Sequence, residues 1–256
     1  MNGKQFLPAV IATVLLASSC KPGSEKVQKP QAEKPSLSGR YVNQTFLDEM
    51  SDSLGFTPRY YCLQMHFVDS ARVFIDRGFE GDTLDYIREG DSFKLVGASS
   101  LGDMSISTAE DGRLVLNDSA FTGTGRRSSF ARLEEGQDAA KAWTRMINER
   151  MASGEYEILD KGKTTGKKAS LSPDGSVNGL ADYVAYELCY TGDCLQTTMP
   201  YRNIMYLIKA DGTRDTFAYN FGNGRKGLQI FAVGDPIPGT KGERKVLGIV
   251  HDLRKI

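Results

Sequence analysis

The sequence predicts a mainly β protein made of antiparallel small barrels, in two units joined by one α-helix. Three observations predict it. Short runs of apolar residues alternate with polar ones, as a strand with one buried face requires. Turn signals such as Asp111-Gly112, Asp174-Gly175 and Asp211-Gly212 punctuate the chain and suit tight hairpins. Eleven Tyr and twelve Phe stand beside a single Trp, which favours pleated surfaces. Nothing alternates strand with helix in the way a parallel sheet needs.

The elements follow in order. Gly39 to Val42 reads as a first strand, and Thr45 to Leu54 as a short helix with Thr45 as its N-cap. Tyr61, Leu63, Met65 and Phe67 alternate with Cys62, Gln64 and His66, and Val73 and Ile75 continue the pattern after a break at Asp69-Ser70. Phe93 to Val96, Met104 to Ile106, Leu114 to Leu116 and Ser128 to Arg132 complete the first set. Asp138 to Ala152 is the one long helix, with Ala139, Trp143, Met146, Ile147 and Met151 on its apolar face. Trp143 reads as a core anchor, and the helix as a buried joint packed on one or both β-units. Strands then resume at Tyr156 to Leu159, Lys168 to Leu171, Ser176-Val177, Tyr183 to Tyr190, Ile204 to Ile208, Thr216 to Asn220, Leu228 to Val233 and Lys245 to His251. Each half opens with Gly-x-Tyr (Gly39 and Tyr41; Gly154 and Tyr156), a faint sign of repetition.

The first residues have the parts of an export signal: Lys4, an apolar run from Phe6 to Ala17, then the small Ser18 and Ser19. A run of about 12 residues is too short to cross a bilayer core of about 30 Å as a helix. Leu16-Ala17-Ser18-Ser19-Cys20 resembles the lipobox of bacterial lipoproteins, although Ala17 takes the place where Leu is usual. The resemblance implies cleavage before Cys20 and lipidation of its thiol, with acyl chains that make release from a bilayer negligible. Lys21 to Ser36 carries Pro22, Pro30 and Pro35 among Lys, Glu, Gln and Ser, too polar to fold. As a coil it would reach about 20–25 Å. The expected organisation is therefore a signal peptide at 1–19, lipidated Cys20 and tether over 20–36, an N-terminal β domain at 37–133, the connecting helix within 134–153, and a C-terminal β domain at 154–256. In enteric lipoproteins an Asp after the cysteine goes with inner-membrane retention; Lys21 stands there, so the resemblance implies the outer membrane of a two-membrane bacterium.

At Gly39-Arg40-Tyr41 and the strands after it, the first half resembles the lipocalin-like small barrels of bacterial envelope lipoproteins, which open with Gly-x-Trp. Tyr41 replaces that Trp. The resemblance implies a pocket for a small apolar ligand and assigns no residue to it.

Chemistry is sparse. Lys plus Arg equals Asp plus Glu at 32 each, so no long-range field draws nucleic acid. Gly222-Asn223-Gly224-Arg225-Lys226-Gly227 is a literal GxGxxG, but strand-like residues flank it and no helix follows, so it reads as a hairpin turn. His66 and His251 are the only histidines, without zinc-ligand spacing. Cys62 and His66, four apart on one strand, are too distant for a nucleophile–base pair. Lys161 to Lys168, with four lysines, reads as a solvated loop. Cys189 and Cys194 flank Tyr190-Thr191-Gly192-Asp193, a turn between two expected antiparallel strands, and are expected to form a disulfide in an oxidising compartment. Cys62 is then a buried thiol. No catalytic residue, cofactor or metal ligand is expected, and an enzyme has no support in the sequence. Two readings stay open: an envelope lipoprotein binding a small apolar molecule or a protein partner, and a structural or stress-sensing interaction lipoprotein with filled barrels.

Overall fold

The computed structural model describes residues 37–50, 60–78, 80–122, 126–190, 198–199, 203–222, 226–240 and 242–256. The export segment, Cys20, the tether and Cys194 lie outside them.

Eight antiparallel strands close a barrel in simple sequence order. They are β1 (Gly39–Asn43), β2 (Gln64–Phe67), β3 (Arg72–Asp76), β4 (Gly81–Glu89), β5 (Ser92–Ser99), β6 (Gly102–Thr108), β7 (Leu114–Asn117) and β8 (Arg127–Arg132). β8 returns to β1 with Tyr41 opposite Arg132. Period-two alternation sends Met65, Phe67, Val73, Ile75, Leu95, Ile106 and Leu116 inward, and all are buried. Tyr41, Phe67, Tyr86 and Phe93 form an edge-to-face chain with centroids 5.6, 5.2 and 5.9 Å apart. An eight-stranded barrel is just wide enough for side chains to fill it.

Helix α1 (Gln44–Met50) follows β1 directly. Its cap is Asn43, not Thr45. The Asn43 carboxamide oxygen accepts from Phe46 N–H at 2.8 Å, and its Nδ2 donates to the Cys62 carbonyl at 2.9 Å. Thr45 instead accepts the Ser129 N–H at 2.8 Å through its hydroxyl. β4 was invisible to alternation, because Tyr86 is its only buried residue. A four-residue helix, α2 (Ser119–Thr122), precedes β8.

Helix α3 (Ala139–Met151) begins at Asp138, whose side chain accepts from the N–H groups of Ala140 and Lys141 at 3.1 and 3.3 Å. Trp143, only 3% exposed, stacks on Phe46 of α1 with centroids 5.8 Å apart. One core joins Val42, Phe46 and Leu133 of the first unit to Trp143, Ile147 and Met151, and then to Tyr156, Leu171 and Tyr186. The helix is thus the expected joint, and it packs on both units.

The second sheet has nine strands: β9 (Gly154–Asp160), β10 (Lys163–Leu171), β11 (Val177–Asn178), β12 (Tyr183–Cys189), β13 (Thr198–Met199), β14 (Ile204–Lys209), β15 (Arg214–Gly222), β16 (Gly227–Pro236) and β17 (Arg244–Lys255). Eight form an antiparallel path β11-β10-β9-β17-β16-β15-β14-β12, and β13 pairs in parallel with β17 off it. The two ends of the path meet at an isolated bridge, Ser176 opposite Ala185, and at a Tyr186 N–H donating to the Gly175 carbonyl at 2.7 Å. The unit is therefore barrel-like, with a thin seam.

The two Gly-x-Tyr sequences occupy matching places. Tyr41 pairs with Arg132 on β8, and Tyr156 pairs with Lys255 on β17. Each of these cations lies over its glycine. A Cβ on Gly39, where φ is 89°, would sit 3.1 Å from Arg132 Nε; one on Gly154 would sit 2.6 Å from Lys255 Cε. Both tyrosines are buried.

Candidate functional site

Polar and aromatic groups gather at one end of the first barrel. The segment Tyr60 to Leu63 leads into β2 there, and Tyr61, Cys62 and Leu63 are all buried despite being consecutive. Asn43 holds this irregular stretch: besides the Cys62 contact, its backbone N–H donates to the Leu63 carbonyl at 2.9 Å. The Arg77 guanidinium, just after β3, lies 5.0 Å over the Tyr61 ring and donates to its hydroxyl at 3.0 Å. Arg77 also pairs with Asp82. Phe121 of α2 meets the Tyr61 ring edge-on at 5.5 Å. A pocket of about 340 Å³ opens among Tyr60, Tyr61, Arg77, Ser99, Ser100 and Phe121.

Behind it, Arg126 lies 4.4 Å over the Tyr60 ring, donates to the Tyr60 hydroxyl at 3.1 Å and pairs with Glu49 of α1. Asp118 is buried and accepts from Ser128 Oγ at 2.8 Å. Burial pushes its carboxyl up, against the opposing pull of Ser128 and Arg126. Burial also raises the Tyr61 hydroxyl, although Arg77 works the other way. Cys62, wholly buried, has its thiol pushed far up by desolvation, so it is not a thiolate at neutral pH.

The chemistry suits holding rather than converting a molecule. Aromatic faces supply an apolar wall, and a guanidinium with more donors than its partners use supplies a polar end. Cys62 precedes β2 and turns inward, whereas His66 is on the outer face between Met65 and Phe67. The two do not share a face as simple alternation implied, and no thiol–imidazole pair forms. His251 is half-buried opposite Ile230 on β16.

The other singled-out residues lie elsewhere. Gly222 closes β15 and Gly227 opens β16, and the two glycines pair across these antiparallel strands, while residues 223–225 of the GxGxxG stretch lie outside the described residues. Cys189 ends β12 and is disulfide-bonded, with its sulfur 3.9 Å from the Tyr206 hydroxyl. The strand paired with β12 is β14, with Cys189 opposite Ile204, and not a strand beginning just after Cys194. The lysine stretch is exposed as expected, but only Lys161 and Gly162 form a turn, since β10 begins at Lys163.

Sequence reasoning missed Tyr60, Arg77, Phe121, Asp118 and Arg126. One signal was available: Tyr61-Cys62-Leu63 is three large or apolar residues in a row, which a half-buried strand does not tolerate.

No family model matches the chain, and no curated protein or solved structure is significantly similar to it.

Proposed function

We propose that this chain is a membrane-anchored envelope lipoprotein whose first barrel binds a small, largely apolar molecule at its aromatic mouth. The observation that carries the binding reading is the pocket beside Tyr61, Phe121 and Arg77. Its volume is at the lower end of the roughly 300–1,000 Å³ typical of ligand sites. The fitting ligand is one flat or short-chain apolar body with a single acceptor or anionic end for Arg77. The anchor rests on Leu16 to Cys20 and on the polar, proline-bearing stretch after it. A bilayer contact through Cys20 acyl chains and an outer-membrane location follow from that reading, as does a Cys189–Cys194 bridge from export. No nucleic acid, cofactor or metal enters it.

A second reading has its own support. The inward side chains of the first barrel are sealed from solvent, as a structural or stress-sensing interaction lipoprotein with filled barrels requires. Native mass spectrometry of the full protein purified from its host separates the two. The binding reading expects a small-molecule adduct on the wild type that is lost from Arg77→Gln. A bare mass on the wild type, with the pocket intact, defeats it and leaves the filled-barrel reading. The anchor is tested apart: Cys20→Ser should abolish incorporation of labelled fatty acid and release the protein from membranes, and equal membrane retention would sink it.

A further inference from the structure

The hairpin joining β9 to β10 carries Lys161, Lys163, Lys167 and Lys168 and no acid between them. All eight residues from Lys161 to Lys168 are exposed. Among the described residues the lysines in ion pairs are Lys94, Lys141 and Lys209; none of these four joins them. The hairpin is also shaped to present its charges. Lys161 takes φ 47° and Gly162 φ 78°, so a long cation occupies a turn position where Asn or Gly costs less. The register shifts between Thr164 and Lys168, and Thr165 Oγ1 donates to the Ile158 carbonyl at 2.8 Å, which fixes the extra residues as an outward bulge.

An apolar stretch of β17 follows the end of its pairing with β9. The ladder runs from Lys255 back to Asp252, opposite Leu159, and ends two residues short of Val250 on one strand and of Lys161 on the other. Leu247, Ile249 and Val250 are 62, 49 and 45% exposed. The β16–β17 ribbon continues past the end of the β9 pairing, with three register shifts along it. Lysines beside exposed aliphatic side chains make the surface of an interfacial contact: cations for headgroup phosphates, methyl groups for the acyl boundary.

We infer that this rim of the second unit docks on an anionic phospholipid surface, so the protein lies against its membrane through a second point. The charge pattern selects an anionic occupant. The choice of lipid over an acidic protein rests on the Cys20 reading, which holds the chain within tether reach of a bilayer.

The test uses the full chain carrying Cys20→Ser, with and without Lys161→Gln, Lys163→Gln, Lys167→Gln and Lys168→Gln, so acylation plays no part in either arm. Partition is measured on phosphatidylcholine vesicles and on the same vesicles doped with phosphatidylglycerol. Removing four lysines is expected to weaken partition onto the doped vesicles by about tenfold or more, an effect abolished by high salt, and to leave pure phosphatidylcholine unchanged. The matching variant with four arginines should partition like the lysine parent, which guards against a folding defect. Equal partition of the lysine and glutamine forms on doped vesicles overturns the proposal and points to an acidic protein instead. Labelled fatty acid on the wild type reads the Cys20 anchor separately.

Discussion

The two β-units run nearly the same path and close it differently. In the first, eight strands complete a circuit, and every neighbour pair is a ladder. In the second, the same number of strands on the path leaves β11 and β12 joined by one bridge. The difference is where the core comes from. The first barrel buries its own side chains against one another, with Met65, Ile75, Leu95 and Ile106 wholly enclosed. The second shares its core with a helix: Trp143, Ile147 and Met151 pack among Tyr156, Leu171 and Tyr186. A sheet that a helix covers does not need a full ring of hydrogen bonds to exclude water. Covering and closing are two solutions to the same demand on apolar surface.

That contrast can be broken first at Trp143. Trp143→Ala removes the side chain that stacks on Phe46 and caps the shared core. The expected cost is about 3–5 kcal/mol, read as a lower midpoint in denaturant, with the second unit losing structure before the first. An unchanged midpoint would mean the helix contributes little to either unit. A finer probe is Asn148, whose Nδ2 donates to the Pro173 carbonyl at 3.0 Å next to the seam. Asn148→Ala leaves that carbonyl unsatisfied and should cost about 1–3 kcal/mol. Amide exchange should speed up around Ser176 and Ala185 while the β1–β8 pairing stays protected. Uniform loss of protection in both units would contradict a local role.

The smallest effect compares the histidines. Burial lowers the pKa of His251, and burial followed by the nearby Arg40 lowers that of His66. A depressed folded pKa gives stability that is full above the unfolded value of about 6.5 and is lost as pH falls through the folded one. Melting temperature should therefore drop on acidification from neutral pH. His251→Gln should flatten that slope more than His66→Gln, since His251 is the more buried. A slope untouched by both variants would place the acid sensitivity elsewhere.

How far the sequence spoke depended on how many faces an element buries. α3 was legible to its cap, because Asp138 and a one-sided apolar stripe are local signals. β2, β3 and β7 were legible because they bury alternate residues. β4 was not, since Gly81 to Glu89 buries only Tyr86 and is placed by its neighbours, β3 and β5. The same reason hid the lysine strand in β10. The helix cap at Asn43 was missed because a following Thr is an equally good cap by composition; the choice was made by a carbonyl nineteen residues away. The candidate pocket was least legible. Tyr61, Arg77 and Phe121 come from three separate connections and meet only once the barrel is shut.

The pairing of each opening tyrosine with a closing cation also orders events in time. Arg132 reaches Ser38 across 94 residues, and Lys255 reaches Ser153 across 102. Closure of either unit is thus a long-range contact, which is slow to form and cannot begin until its far end has been made. Hairpins such as β15–β16 can form early, but β9 waits for residues 252–255. During synthesis the second unit's first strand therefore lacks that partner until the end. Tyr156, the residue it buries, stays uncovered on that side until Lys255 arrives.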